Sequence, residues 1–388
     1  MKHKIQVLNN ISQTGLDRLP DATYALSEDE SNPAAILLRS QKLHDMPIQG
    51  SLLAIGRAGA GVNNIPVEKM TENGVVVFNA PGANSNAVKE LVIAGMLMAC
   101  RNLVAAHKYV CGLEGDDDSI HKQVEAGKKQ FAGFELPGRT LGVVGLGAIG
   151  VRIANAAGAL GMNVVGFDPR ISIEHAWALS SDVQAVENIE ELLAQSDFIT
   201  FHVPLIDSTR DLINPQSLKK MKDQAVILNF ARNGIVNDDA VCDALDSGKL
   251  YAYVCDFPSN QLKAQERVIT LPHLGASTRE AEVNCAVMVA DQVRDYLDHG
   301  TIENAVNLPN IKLARKGEVR LAILNRNVPD MIGKVSHILG KADTNIHHMV
   351  NDSRGDLAYT LMDLNSSISE QTINSIEALD GVLKTRVL

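Results

Sequence analysis

The chain has 388 residues, 45% of them hydrophobic and 21% charged, with a formal net charge of −10. That length predicts two or three domains that each bury a core, and an acidic balance without a Lys/Arg tract argues against a nucleic-acid surface. Five scattered cysteines (Cys100, Cys111, Cys242, Cys255, Cys285) lack C-x-x-C spacing, so neither a disulfide framework nor a metal site is indicated; with no signal peptide and no long apolar span, a cytoplasmic protein without membrane contact is expected.

Residues 1–97 alternate short apolar runs (Ile5–Leu8, Ala34–Leu38, Leu52–Ile55, Val75–Phe78) with polar or helical segments, which predicts a small α/β unit with a parallel sheet. Ligands gather outside the carboxyl ends of such strands. Two loops there carry arginines: Arg39-Ser40, and Gly56 to Val62 with Arg57, Ala58 and Gly59. Glycine amides beside guanidinium groups suit a carboxylate or phosphate. The polar loop Asn79–Ser85 leads into a helix that Asn84 or Ser85 is expected to cap, and 86–110 reads as one long apolar helix. The polar stretch 112–134 contains Asp116-Asp117-Asp118, expected as a solvated turn.

Leu141 to Asp168 is the most informative stretch. A strand (Leu141–Val144) enters a G-x-G-x-x-G turn formed by Gly145, Gly147, Ala148, Ile149 and Gly150; an Ala-rich helix follows, then a second strand ending at Asp168. Gly145 permits the tight turn, Gly147 lets backbone approach a pyrophosphate, and Gly150 lets helix and sheet pack closely. Asp168 can accept hydrogen bonds from a ribose diol and repel a 2′-phosphate, which favours NAD over NADP; Arg170 is the one neighbour that would suit a 2′-phosphate.

The alternation continues with strands ending at His202-Val203-Pro204, Ala231-Arg232-Asn233-Gly234 and Cys255-Asp256, and then with Pro272-His273-Leu274-Gly275. Arg232, Asp256 and His273 point to one catalytic edge. Alcohol oxidation needs a base for the hydroxyl proton, and an imidazole, which His273 supplies, is the side chain suited to that role near neutral pH. Arg232 can hold a substrate carboxylate and polarise the reacting oxygen, and Asp256 can meet a nicotinamide carboxamide. His202 reads as a second base or, before Val203-Pro204, as lining of the cofactor site. A long helix from Glu280 to about His299 precedes an exit near Pro309, and from Val319 the order β-α-β-β-α-β predicts a separate ferredoxin-like domain.

These motifs together resemble the D-isomer-specific 2-hydroxyacid dehydrogenases over nearly the whole chain. The resemblance implies a Rossmann-type NAD domain (98–281) inserted in a flavodoxin-like α/β substrate domain (1–97 and 282–310), with a C-terminal ACT regulatory domain (317–388). It implies oxidation of a phosphorylated 2-hydroxy acid, 3-phospho-D-glycerate, by NAD at the start of serine synthesis. A hydroxypyruvate, glyoxylate or 2-oxoglutarate reductase, or a catalytically weak NAD-binding sensor, are the alternatives. It places Arg232 and His273 in catalysis, Asp168, Asp256 and Ala231 at the cofactor, and Arg39 and Arg57 at phosphate and carboxylate. Where the family has a glutamate orienting and charging the histidine, this chain offers Gln261, which orients without charge. Asn327 and Asn345 match positions that contact L-serine in the family, and Asn325 stands where a histidine is frequent; Pro329 is followed by Asp330 instead of glycine. A homodimer or homotetramer is implied as well.

Overall fold

The computed structural model describes residues 2–388. The chain divides into two compact units, one formed by the chain through Asn84 together with Arg279–Leu388, the other by Ser85–Thr278. Among the described residues no helix is long and apolar enough to cross a membrane.

The first unit opens with a parallel sheet of β1 (His3–Val7), β2 (Tyr24–Ser27), β3 (Ala35–Leu38), β4 (Ala54–Arg57) and β5 (Val76–Phe78) in the order β2-β1-β3-β4-β5. This is the flavodoxin-like order. β3 and β5 are buried throughout, which is why they read as unbroken apolar runs. β2 was not expected: its four residues at the sheet edge alternate too briefly to register.

The second unit is a seven-stranded parallel sheet of β6 (Thr140–Val144), β7 (Asn163–Phe167), β8 (Gln184–Ala185), β9 (Phe198–Phe201), β10 (Ala225–Asn229), β11 (Leu250–Cys255) and β12 (Val268–Thr270). The order is β12-β11-β10-β9-β6-β7-β8. Strand order reverses at β6, so the glycine turn after β6 lies at the topological switch point where doubly wound sheets bind ligands.

Three local expectations fail here. The helix expected over 86–110 is two helices, Ser85–Cys100 and Leu103–Cys111, because Asn102 between them adopts φ +54°, which no α-helix continues through. Asp116 is a helix cap rather than a bare turn. Its side chain accepts from the Ser119 amide and starts the helix Asp117–Gly127, whose first turn holds Asp117 and Asp118 where the helix dipole favours acids. Asn84, one of the two residues expected as the cap of the following helix, leaves its buried Oδ1 without a partner.

The first unit ends in an antiparallel sheet of β13 (Val319–Arg326), β14 (Ile346–Arg354), β15 (Leu357–Leu364) and β16 (Val382–Val387), ordered β14-β15-β13-β16. The helices Met331–Lys341 and Glu370–Glu377 complete the β-α-β-β-α-β arrangement. Both faces of this sheet are covered. Leu321, Ile323, Met362 and Leu364 pack with Met331, Val335, Leu339 and Ile376, whereas Ala322, Leu324, Tyr359 and Leu361 share a core with Phe78, Val289, Val293 and Tyr296. Period-two alternation thus serves two cores.

The helix Arg279–His299 ends against this sheet, and its unpaired last carbonyls are satisfied there. Arg386 donates to the Tyr296 and Leu297 carbonyls (3.1 and 2.7 Å), Arg320 to His299 (3.1 Å), and the Tyr359 hydroxyl to Gly300 (2.8 Å). Arg320 is itself paired with Asp363 through Nε–Oδ1 (2.6 Å) and Nη2–Oδ2 (3.0 Å), with both side chains fully buried.

Candidate active site

The second unit builds its site from strand ends. Gly145 turns the chain with φ +91°, and a Cβ there would lie 2.6 Å from the His202 carbonyl oxygen. At Gly150 a Cβ would meet the Gly145 carbonyl at 1.9 Å, so only glycine lets the helix Gly150–Ala159 start against the strand. A Cβ on Gly147 would meet nothing within 4 Å. Open space over that backbone, beside the amides of a helix start that includes Ala148 and Ile149, is what a pyrophosphate requires. Asp168 accepts from the Leu146 amide with Oδ2 (2.8 Å) and from the Arg170 amide with Oδ1 (2.9 Å), joining the ends of β6 and β7. Each oxygen keeps a further lone pair for a ribose hydroxyl. These residues fit a dinucleotide.

His202 follows β9, with its amide donating to Val144 (2.7 Å) and Nε2 paired to Thr200 Oγ1 (2.9 Å). Burial pushes this imidazole down to about 3, so it stays neutral at working pH and is ill suited to proton transfer. With Val203, whose side chain packs at Gly145, and Pro204, it belongs to the lining of the dinucleotide turn.

Beyond β10, the buried Asn229 accepts from the Ala231 amide (3.2 Å) and donates to the Arg232 carbonyl (3.0 Å), which fixes the loop and turns Arg232 outward. Asn229 thus positions the Arg232 loop, a part that sequence alone did not single out; an amide side chain closing a buried strand is the signal that would have found it. Arg232 is exposed and donates from Nη1 to the Ala231 carbonyl (2.6 Å).

Asp256 closes β11 at 1% exposure with neither carboxylate oxygen hydrogen-bonded. Burial raises its carboxyl, while attraction to His273 and the nearby amides of Asp256, Leu274 and Gly275, which fall outside hydrogen-bond geometry, act the other way. A buried unpaired acceptor at a strand end is suited to a donor such as a carboxamide. His273 is exposed and stands edge-on to Phe257, ring centroids 5.1 Å apart at 80°, a contact the sequence did not reveal. Gln261 lies on the short helix Asn260–Ala264, capped by Ser259, and its side chain reaches the Cys242 thiol. Asp256 lies close enough to His273 for electrostatic attraction, and Phe257 is a ring neighbour of that histidine.

In the first unit, Arg57 Nε donates to the Arg39 carbonyl (3.1 Å), which ties the two arginine loops together. Gly59 takes φ +153°, and a Cβ there would lie 2.0 Å from Arg57 Nη1, so the guanidinium rests on the loop that also holds the buried Ala58. The Ser40 amide donates to Asn9 Oδ1 (3.1 Å). Arg39 Nη1 lies 2.7 Å from Glu282 Oε1. In the antiparallel sheet, Asn325 is buried with Nδ2 on the Arg326 carbonyl (2.7 Å) and Oδ1 unpartnered, and Asn327 donates to Gly355 (3.4 Å). Asn345 precedes β14 at the opposite end of the sheet, because Ile346 pairs with Leu364 while Arg326 pairs with Leu357. One chain does not bring these three amides together.

Comparison with known proteins supports the same chemistry. Residues 93–275 match the D-isomer specific 2-hydroxyacid dehydrogenase, NAD binding domain. The chain is 30% identical to the D-3-phosphoglycerate dehydrogenase of Haemophilus influenzae, covering 100% of this chain and 97% of that one. It is 38% identical over 319 residues to that of Methanocaldococcus jannaschii, covering 81% of this chain but spanning only 57% of the relative's length. A crystal structure of NAD⁺-bound 3-phosphoglycerate dehydrogenase from Entamoeba histolytica superposes with a TM-score of 0.60 at 25% identity, covering 79% of this chain and 99% of that one.

Proposed function

Because the chain belongs to the D-isomer-specific 2-hydroxyacid dehydrogenase family, we propose that it oxidises 3-phospho-D-glycerate to 3-phosphohydroxypyruvate with NAD, the reaction that opens L-serine synthesis. The observation that carries this reading is the end-to-end similarity to the Haemophilus influenzae D-3-phosphoglycerate dehydrogenase. The side chains support it. Bound NAD supplies the acceptor for the hydride leaving C2. His273 takes the hydroxyl proton as the carbonyl forms, and returns it in the reverse direction. Asp256 lies close enough to attract His273 electrostatically, so an ionised Asp256 steadies the imidazolium, the part that a neutral Gln261 does not play. Arg232 orients the substrate carboxylate and polarises the reacting oxygen. Arg39 and Arg57 receive the phosphate, with Ser40, Ala58 and Gly59 supplying the surrounding backbone.

By function, the chain divides into a substrate domain of 1–97 and 282–310, an NAD domain of 98–281 and an ACT domain of 317–388. We place an amino-acid effector, L-serine, at the buried Asn325 with Asn327. Asn345 of the same chain lies at the far end of the sheet, so it joins such a site only through a second copy in a cytoplasmic homodimer or homotetramer.

The test is His273→Asn, assayed by NADH absorbance with 3-phosphohydroxypyruvate. A fall in kcat of about 10²–10⁴ with NADH binding intact, read by fluorescence, is expected for loss of a general acid. Unchanged kcat would remove His273 from the mechanism.

A further inference from the structure

Arg39, assigned above to the substrate phosphate, already has an anion on it. Glu282 projects from the first turn of the helix Arg279–His299 and puts Oε1 2.7 Å from Arg39 Nη1. Neither side chain is sealed away: Arg39 is 37% and Glu282 45% exposed, so an incoming anion can reach the pair. Glu282 is held in place by its helix. A Cβ on Gly56 in β4 would lie 3.1 Å from Val293 and 3.3 Å from Val289, so the helix seats directly on the strand that carries Arg57. Arg57 is in turn bound to the Arg39 carbonyl. Two arginines and one carboxylate are therefore gathered by elements packed in one unit.

A carboxylate on a guanidinium occupies the same donors that a phosphate would use. It also weakens the field an approaching anion feels, and it repels a dianion more than a neutral group. From this geometry we infer that Glu282 is a specificity-determining residue, a built-in competitor for Arg39 that sets the KM of substrates carrying a phosphate at that end. The inference rests on the assignment of the phosphate to Arg39. Glu282 does not touch the reacting atoms and acts only through Arg39. Its removal must therefore be felt by a phosphorylated ketoacid and not by the same ketoacid without phosphate.

The experiment is a double-mutant cycle on the full chain with Glu282→Gln, Arg39→Gln and the pair. KM and kcat are measured with 3-phosphohydroxypyruvate and with hydroxypyruvate against NADH. Glu282→Gln is expected to lower KM for the phosphorylated ketoacid about two- to five-fold, the range of an exposed ion pair, with the change larger in KM than in kcat. KM for hydroxypyruvate stays within twofold of its starting value, and the effect disappears in the Arg39→Gln background. A raised KM, an equal change with both ketoacids, or an effect that persists without Arg39 would overturn the inference while leaving the phosphate assignment standing. If Arg39→Gln alone leaves KM for the phosphorylated ketoacid unchanged, or if neither ketoacid is turned over, the assignment falls and the inference falls with it.

Discussion

Asp256 carries an electrostatic burden in the folded chain. It is a carboxylate enclosed at the end of β11 with no hydrogen-bond donor on either oxygen, and burial raises its pKa. A carboxyl raised in the folded state binds its proton more tightly there than in the unfolded chain, so stability declines as pH rises from the ordinary carboxylate value through the folded one. Asp256→Asn removes that burden. At neutral pH its Tm is expected to rise by a few degrees, with the wild-type pH slope of stability reduced, as scanning calorimetry would show. Unchanged stability with an unchanged pH slope would mean that burial does not strain Asp256. The strand-end position of Asp256, Arg232 and His273 was legible in sequence because each follows an apolar run. The edge contact of Phe257 and the link from Gln261 to Cys242 were not, since both depend on how a short helix and a loop return to the sheet.

At the level of elements, strands buried on both faces and the glycine turn at 145–150 were legible because their residue types have few alternative uses. The break at Asn102 and the helix capped by Asp116 were not. A run of three aspartates reads as solvated chain until one is seen to accept the Ser119 amide and two to lie in a first turn. β13 and β15 depend on a charged pair in the same way. Asp363 is held below the usual carboxylate range: burial alone would raise it, but the hydrogen bonds from Arg320 and from the Lys316 and Gly317 amides outweigh burial. Its contribution is complete above the unfolded carboxylate pKa of about 4 and is lost as pH falls through the depressed folded value. Asp363→Asn strands a buried guanidinium, and a loss of about 3 kcal/mol or more is expected by urea denaturation. A loss below about 1 kcal/mol would show that the pair is locally solvated.

For the molecule as a whole, the predicted modular order emerged from periodicity: parallel units first, then β-α-β-β-α-β. What periodicity hid is that the C-terminal sheet does not hang free from the rest of its unit. Its second face completes a core with Phe78, Val289 and Tyr296, and Arg386, Arg320 and Tyr359 close the end of the helix Arg279–His299. Arg320, Ala322 and Leu324, which share one face of β13, are all buried. A helix that carries Glu282 at its start is thus fastened at its end to the domain proposed to be regulatory. Substrate choice defines the proposed reaction. It is tested most directly by comparing kcat/KM for NADH-dependent reduction of 3-phosphohydroxypyruvate, hydroxypyruvate, glyoxylate and 2-oxoglutarate under one set of conditions. An unphosphorylated acid has no phosphate to pair with the Arg39 and Arg57 guanidinium groups, which predicts a preference of at least about tenfold for 3-phosphohydroxypyruvate, since each 1.4 kcal/mol is a factor of ten. Equal or better turnover of any unphosphorylated acid would contradict the assignment of Arg39 and Arg57 to a phosphate, and with it the proposed reaction.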